Sequence, residues 1–232
     1  DYTMNLRGKL VELQRPWVMG ILNVTPDSFY IDSRTPMAEP ERIAHRVRQM
    51  LAEGADIIDV GAYSSRPGAD DISPLEEMRR LEVALTTVRE VAPEVYVSVD
   101  TFRSEVARQC VEHFGVDLIN DISGGVLDRA MPKVVARLGV PYIIMHMKGN
   151  PETMQMAPEY QDVVAEVLEF LARQQQRFFD AGGKDASRCS QRDDRAPHDR
   201  YDEGRAYLPC ARCASGSRST HSYGNHVASQ LT

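Results

Sequence analysis

Long apolar runs are missing from this 232-residue chain. None reaches the roughly 18 residues that a membrane-crossing helix needs, and no charged start followed by an apolar core marks a secretory signal. Positive charge is short: Lys and Arg total 27 against 34 Asp and Glu, a net charge of -7. Phosphate backbones are bound by basic surfaces, so neither nucleic acid nor a membrane is expected as a partner. An anionic small molecule stays compatible, provided Arg or Lys is placed locally. Cysteine is scarce as well. Of four, Cys110 falls in a helical pattern and Cys189, Cys210 and Cys213 lie beyond residue 185. That is no disulfide framework, and it fits a reducing cytoplasm. Cys210-Ala-Arg-Cys213, with His198, His221 and His226 nearby, is a single Cys-x-x-Cys without a second spaced pair, which is thin support for zinc.

The last absence is regional. Residues 186–232 contain no Ile, Phe, Met, Trp or Lys, and among large aliphatics only Leu208, Val227 and Leu231. Such a segment cannot bury enough apolar area to offset its ordering entropy, so it is expected to lack structure. The switch in character falls in the middle of an α-to-β connection. Translation in a shifted frame after Asp185 is the preferred explanation, and a natural disordered tail is the alternative.

From Trp17 to about Lys184 the chain alternates strand-like and helix-like segments. Strands are expected at Trp17–Leu22, Asp56–Val60, Val95–Val99, Asp117–Ile119 and Pro141–Met145. Helices are expected at Glu41–Glu53, Pro74–Val91, Ser104–Phe114, Met131–Leu138 and Pro158–Ala181. Ser73-Pro74-Leu75-Glu76 reads as a capping box with Pro at the first helical position. Gly54, Gly115 and Gly139 stand where helices should stop. This alternation implies a parallel sheet with right-handed crossovers, either doubly wound or a (β/α) barrel. Polar clusters follow five different strands: Asn23, the Gly61–Gly68 loop, Asp100, Asn120 with Asp121, and His146. Convergence of many strand ends favours the barrel. Thr3–Leu13 alternates weakly and suits a short hairpin plugging the barrel bottom.

The densest cluster is Asn23-Val-Thr-Pro-Asp-Ser-Phe29, which ends an apolar strand with an amide, a hydroxyl, a carboxylate and an aromatic. Ligands bind beyond the carboxyl ends of parallel strands, so this is a candidate site, although Thr-Pro-Asp-Ser is equally good turn chemistry.

Together with Ser64-Ser-Arg-Pro-Gly68, Ser98-Val-Asp-Thr101, Ile119-Asn-Asp-Ile-Ser-Gly-Gly125, Met145-His-Met147 and Gly149-Asn-Pro151, this run resembles dihydropteroate synthase in motif, order and spacing. The resemblance covers residues 4–185. It implies a (β/α)8 TIM barrel, of which about five βα units are present in residues 1–185, followed by the unrelated segment 186–232. It further implies a Mg2+-dependent transferase of folate biosynthesis that joins 4-aminobenzoate to a dihydropterin methyl diphosphate. Loss of diphosphate leaves a pterin-stabilised cation, which the aromatic amine attacks. Sulfonamides are the family's inhibitors and a homodimer is its usual state.

Roles follow by position within the resemblance. Asn23 matches the metal-contacting Asn; an amide oxygen is a hard donor suited to Mg2+ that also holds phosphate oxygens. Thr25, Pro26 and Phe29 match the first loop, which closes over the aminobenzoate. Ser65 keeps the hydroxyl of the family's usual Thr, Arg66 matches the Arg that grips the diphosphate by bidentate bonds, and Pro67 walls the aminobenzoate site. Asp100 and Asn120 match the pair that reads the pterin edge, while Ile122 and Met145 pack on the flat ring. Asn23, Arg66 and Asp100 are the candidate catalytic residues. Asp121 is expected to orient its neighbours, and His146 to be structural rather than a proton carrier.

Two departures stand out. Gly61-Ala62-Tyr63-Ser64 replaces the family's Gly-Gly-Glu-Ser, which removes a carboxylate. The family's sixth, seventh and eighth strand motifs do not occur. An inactive truncated remnant and a pterin-dependent methyltransferase barrel are therefore the competing readings.

Overall fold

A computed structural model describes residues 2–25, 39–64, 71–149 and 159–183, and the backbone of 207–208. Two strands open the chain, β1 (Tyr2–Leu6) and β2 (Lys9–Leu13). Five βα units follow: β3 (Met19–Asn23) with α1 (Glu39–Ala52), β4 (Ile57–Gly61) with α2 (Pro74–Val91), and β5 (Tyr96–Asp100) with α3 (Ser104–Phe114). The last two are β6 (Leu118–Asp121) with α4 (Met131–Leu138), and β7 (Tyr142–Ile144) with α5 (Val163–Gly183). Strands β3 to β7 lie side by side in chain order and every neighbouring pair is parallel. The expected βα alternation and barrel order are both present.

Local chemistry sets the helix ends. Ser73 Oγ accepts from the Glu76 amide at 3.2 Å, which starts α2. The reciprocal half of the capping box does not form, because the Glu76 carboxylate is held by Arg79 and Arg80. Gly115 and Gly139 end α3 and α4 at φ 59° and 67°, a conformation only glycine takes without cost. Helix α5 begins later than expected, at Val163 rather than Pro158. Asp162 caps it there, its carboxylate accepting from the Ala165 amide at 3.0 Å.

Strand ends also differ from expectation. Asn23, Gly61, Asp100, Asn120 and Asp121 belong to the ladder instead of following it. Polar side chains are tolerated in a buried parallel ladder where its face opens toward solvent, because the backbone bonds do not depend on the side chain.

Residues in register share a face. Leu22, Val60, Val99, Ile119 and Tyr142 align across the five strands and pack against the helices in the main core. The opposite face is layered. Met19, Ile57 and Tyr96 form its lowest row, Ile21, Asp59, Ser98 and Leu118 the middle row, and Asn23, Gly61, Asp100, Asn120 and Ile143 the top row.

The β1–β2 hairpin plugs the bottom of this face, as expected. Its two-residue turn places Arg7 at φ 53° and Gly8 at φ 75°, the signs of a type I′ turn. Leu6 buries against Ile57 and Leu118, with Trp17, Met19 and Tyr96 packed around them. Trp17 stacks on Tyr96 at 5.4 Å. Asp117 locks the plug in place: it accepts from Arg7 Nε (2.7 Å), Arg89 Nη2 (3.2 Å) and the Val97 amide (2.9 Å).

The backbone of Tyr207–Leu208 forms β8, antiparallel to β7. The expectation of a wholly structureless 186–232 misses this pair, because backbone pairing on an open edge needs little from the side chains. The rest of that segment, with its Cys-x-x-Cys, lies outside the described residues.

Candidate functional site at the carboxyl ends of the strands

Asn23, Gly61, Asp100 and Asn120 are Cα partners across four consecutive strands. Three expected site residues therefore stand in one row at the top of the sheet face. Gly61 makes the row possible. A Cβ added there would lie 3.1 Å from Asn23 Oδ1 and 3.5 Å from Asp100 Cβ, so any side chain would crowd the gap between them.

The row is rich in unspent acceptors. Neither the Asn23 amide nor the Asp100 carboxylate makes a hydrogen bond among the described residues. Burial, joined by the charges of Asp59, Asp121 and Glu77, pushes Asp100 up from its ordinary 3.8 to about 7. Asn120 Nδ2 donates to Asp59 Oδ2 at 3.0 Å. Asp59, 4% exposed, is itself held above the ordinary carboxylate range by burial, partly opposed by Ser98 and Asn120. Asp100 does not cap the helix that follows it: the Ser104 amide at the start of α3 donates instead to Asp128 at 2.7 Å.

Asp121 does orient its neighbours. Fully buried, it accepts from the amides of Ser123 (2.7 Å) and Gly125 (2.8 Å), from Ser123 Oγ (2.8 Å) and from the Tyr142 hydroxyl. These bonds shape the turn that carries Ile122, which is half-buried beside the row. Met145 is exposed at the end of β7. His146 packs edge-on against Phe170 at 5.0 Å, consistent with a structural part. Thr25 is buried just past β3. Pro26, Phe29, Ser65, Arg66 and Pro67 lie outside the described residues.

Sequence reasoning overlooked an anchor at both ends of the second loop. Glu77, fully buried on α2, accepts from Thr101 Oγ1 at 2.7 Å and pairs with Arg103. Arg103 also donates to the Ile72 carbonyl at 2.8 Å and stacks on Tyr63 at 5.2 Å and Phe102 at 4.9 Å. One guanidinium thus contacts residues on either side of 65–70. The cue was Tyr63, the aromatic standing where the family carries Glu. Asp59 was overlooked too, although an acid inside the apolar run Ile57-Ile58-Asp59-Val60 is a readable anomaly.

No group of three or more His, Cys, Asp or Glu suited to a metal occurs among the described residues. Asn23 still fits Mg2+ as a single hard oxygen donor, since that ion commonly takes one or two protein oxygens plus substrate phosphates. No helix among the described residues is long and apolar enough to cross a membrane.

The sequence is 49% identical over 158 residues to the mitochondrial folate synthesis bifunctional protein of Arabidopsis thaliana, covering 66% of this chain and 28% of that protein. It is 43% identical over 182 residues to dihydropteroate synthase of Escherichia coli K12, covering 76% of this chain and 61% of that one. The chain thus spans less than two thirds of these relatives. Among solved structures, the Yersinia pestis dihydropteroate synthase in a sulfonamide drug complex superposes with a TM-score of 0.65 at 36% identity, covering 78% of this chain and 64% of that one. The Thermus thermophilus enzyme in complex with 4-aminobenzoate gives 0.64 at 40% identity, covering 78% and 63%. Residues 19–186 match the pterin-binding enzyme family along their whole length, and with β3 to α5 arranged as in those barrels the chain belongs to that family.

Proposed function

We propose that this chain carries the pterin-reading half of a dihydropteroate synthase, which condenses 4-aminobenzoate with a dihydropterin methyl diphosphate to give dihydropteroate and diphosphate. The observation that supports it most is the top row, where Asn23, Asp100 and Asn120 converge around Gly61 with acceptors left open. A dihydropterin edge offers amino and ring N–H donors, and Asp100 with Asn120 complements them. The dyad holds the ring still while the exocyclic C–O bond breaks, its electron pair leaving with the diphosphate. The aminobenzoate nitrogen then forms the new C–N bond and loses its proton.

Asn23 would hold Mg2+ through its amide oxygen, across Gly61 from Asp100, and the ion would supply neutralisation of diphosphate charge. By position in the family motifs, Arg66 would grip the same group, Thr25, Pro26, Phe29 and Pro67 would serve the aminobenzoate side, and Ser65 would keep the hydroxyl of the family's usual Thr. Sulfonamides, as aminobenzoate mimics, would compete there, and the scarcity of cysteine fits a cytoplasmic location.

The test is Mg2+-dependent formation of dihydropteroate by the purified full chain from both substrates, with diphosphate release measured in parallel. Methyl transfer without diphosphate release identifies a pterin-dependent methyltransferase instead. A folded chain that binds pterin but yields neither product is the inactive remnant.

A further inference from the structure

Asp59 has no place in the proposed chemistry, yet it is the carboxylate that touches the pterin-reading pair. It stands on β4 two residues before Gly61, so its side chain shares the face of the top row and lies one layer deeper. It is 4% exposed, and Oδ2 accepts from Asn120 Nδ2 at 3.0 Å. We infer that Asp59 is a positioning residue that fixes the carboxamide of Asn120, and thereby sets whether the site offers an acceptor or a donor to its ligand.

The reasoning rests on the symmetry of a carboxamide. Its oxygen and NH2 ends have nearly the same shape, so only a hydrogen-bond partner decides which end points where. An ionised carboxylate can only accept. In the structure Asp59 Oδ2 takes the nitrogen of Asn120 in this way, and Asn120 Oδ1, which makes no other hydrogen bond among the described residues, is left for a ligand. Asp100, the register partner of Asn120, presents a second open acceptor beside it. The two together select a ring edge carrying adjacent donors.

As a purely structural residue Asp59 is a poor choice. Its Oδ1 and the neighbouring Ser98 Oγ are buried without completed hydrogen bonds, which costs stability that an amide or an aliphatic side chain would recover. An Asn at 59 removes the constraint, because its own NH2 can donate to Asn120 Oδ1 and let the Asn120 nitrogen face outward.

This inference builds on the pterin-binding reading, so its test has two arms on the full chain. In the ligand-free protein, the side-chain NH2 of Asn120 is assigned by its loss in Asn120→Asp and followed by nuclear magnetic resonance. Slow exchange with water in the parent, lost in Asp59→Leu, is the expected result; unprotected protons in the parent overturn the inference whatever the ligand is. The second arm compares binding of 6-hydroxymethylpterin with the lumazine analogue, whose 2-oxo group replaces the donor amine. Asp59→Asn should shrink the preference for pterin by about tenfold, the loss expected from reversing one hydrogen bond. A role confined to stability would weaken both ligands alike, so an unchanged ratio in folded Asp59→Asn also overturns it. If the parent binds neither ligand, the pterin reading fails, and the exchange arm still decides whether Asp59 fixes Asn120.

Discussion

Replacing Asp100 with Asn should stabilise the ligand-free chain while weakening its site. Asp100 ordinarily titrates at 3.8 and is pushed up to about 7 by burial and by the charges of Asp59, Asp121 and Glu77. The sign follows from proton counting. Between pH 4 and 7 the unfolded carboxyl is ionised and the folded one keeps its proton, so folding takes up a proton and stability falls as pH rises. Above 7 both forms are ionised and the full cost stands. At about 1.36 kcal/mol per pH unit between the two midpoints, the ceiling is about 4 kcal/mol. Asn is neutral and nearly the same shape, but desolvating its amide recovers only part, so a gain of about 1–3 kcal/mol at pH 8 is expected. Urea denaturation of both proteins at pH 4.5 and pH 8 measures it. The gain should nearly vanish at the lower pH. Equal stabilities at pH 8, or the same gain at both values, would refute this account. Binding of 6-hydroxymethylpterin should weaken in parallel, because an acceptor-only group is replaced by one that also donates.

Asp117→Ala leaves Arg7, Arg89 and the Val97 amide without their shared acceptor and should cost about 3–5 kcal/mol in urea denaturation, with little change in ligand selectivity. Gly61→Ala places a methyl 3.1 Å from Asn23 Oδ1, so the apparent KM for the dihydropterin diphosphate, or its Kd where turnover is absent, should rise by roughly tenfold or less with the circular dichroism unchanged. Arg103→Lys keeps a charge near Glu77 but loses the planar fork and its stacking on Tyr63 and Phe102; limited proteolysis should then cut faster within residues 62–72.

Much of this fold was readable because the signals were local. Helices α2, α3 and α4 occupy the expected residues, and Ser73, Gly115 and Gly139 act at their ends as their chemistry requires. Strand ends were less legible. Asn23 and Asp100 are polar, and polarity suggested a loop, but the ladder runs through them because their face opens at the barrel mouth. The start of α5 turned on an Asp162 cap that competed with the helix-favouring residues before it. The site row was half legible. Motif resemblance singled out Asn23, Asp100 and Asn120, whereas Asp59, Glu77 and Arg103 act through contacts 24 to 61 residues away in sequence, which no local pattern contains.

The two ends of the inner sheet face divide the work of the molecule. At the bottom, Leu6, Ile57 and Leu118 bury together under the hairpin, and a buried carboxylate there, Asp117, is satisfied by two guanidinium groups and an amide. At the top, Asp59 is buried and Asp100 half-buried, neither has a cation partner among the described residues, and Asp59 Oδ1 has no hydrogen-bond partner there. Two acids one layer apart in the same pocket oppose each other's ionisation, which is the arrangement a site adopts when its missing partners are a ligand's donors. The same sequence thus concentrates stabilising contacts where the hairpin plugs the sheet and leaves electrostatic demand where a pterin edge would meet it. A ligand bearing adjacent N–H groups should therefore raise the melting temperature of the chain more at pH 8, where Asp100 is ionised, than at pH 5.5, where it is mostly neutral. A pH-independent rise in thermal scans with 6-hydroxymethylpterin would show that Asp100 does not face the ligand.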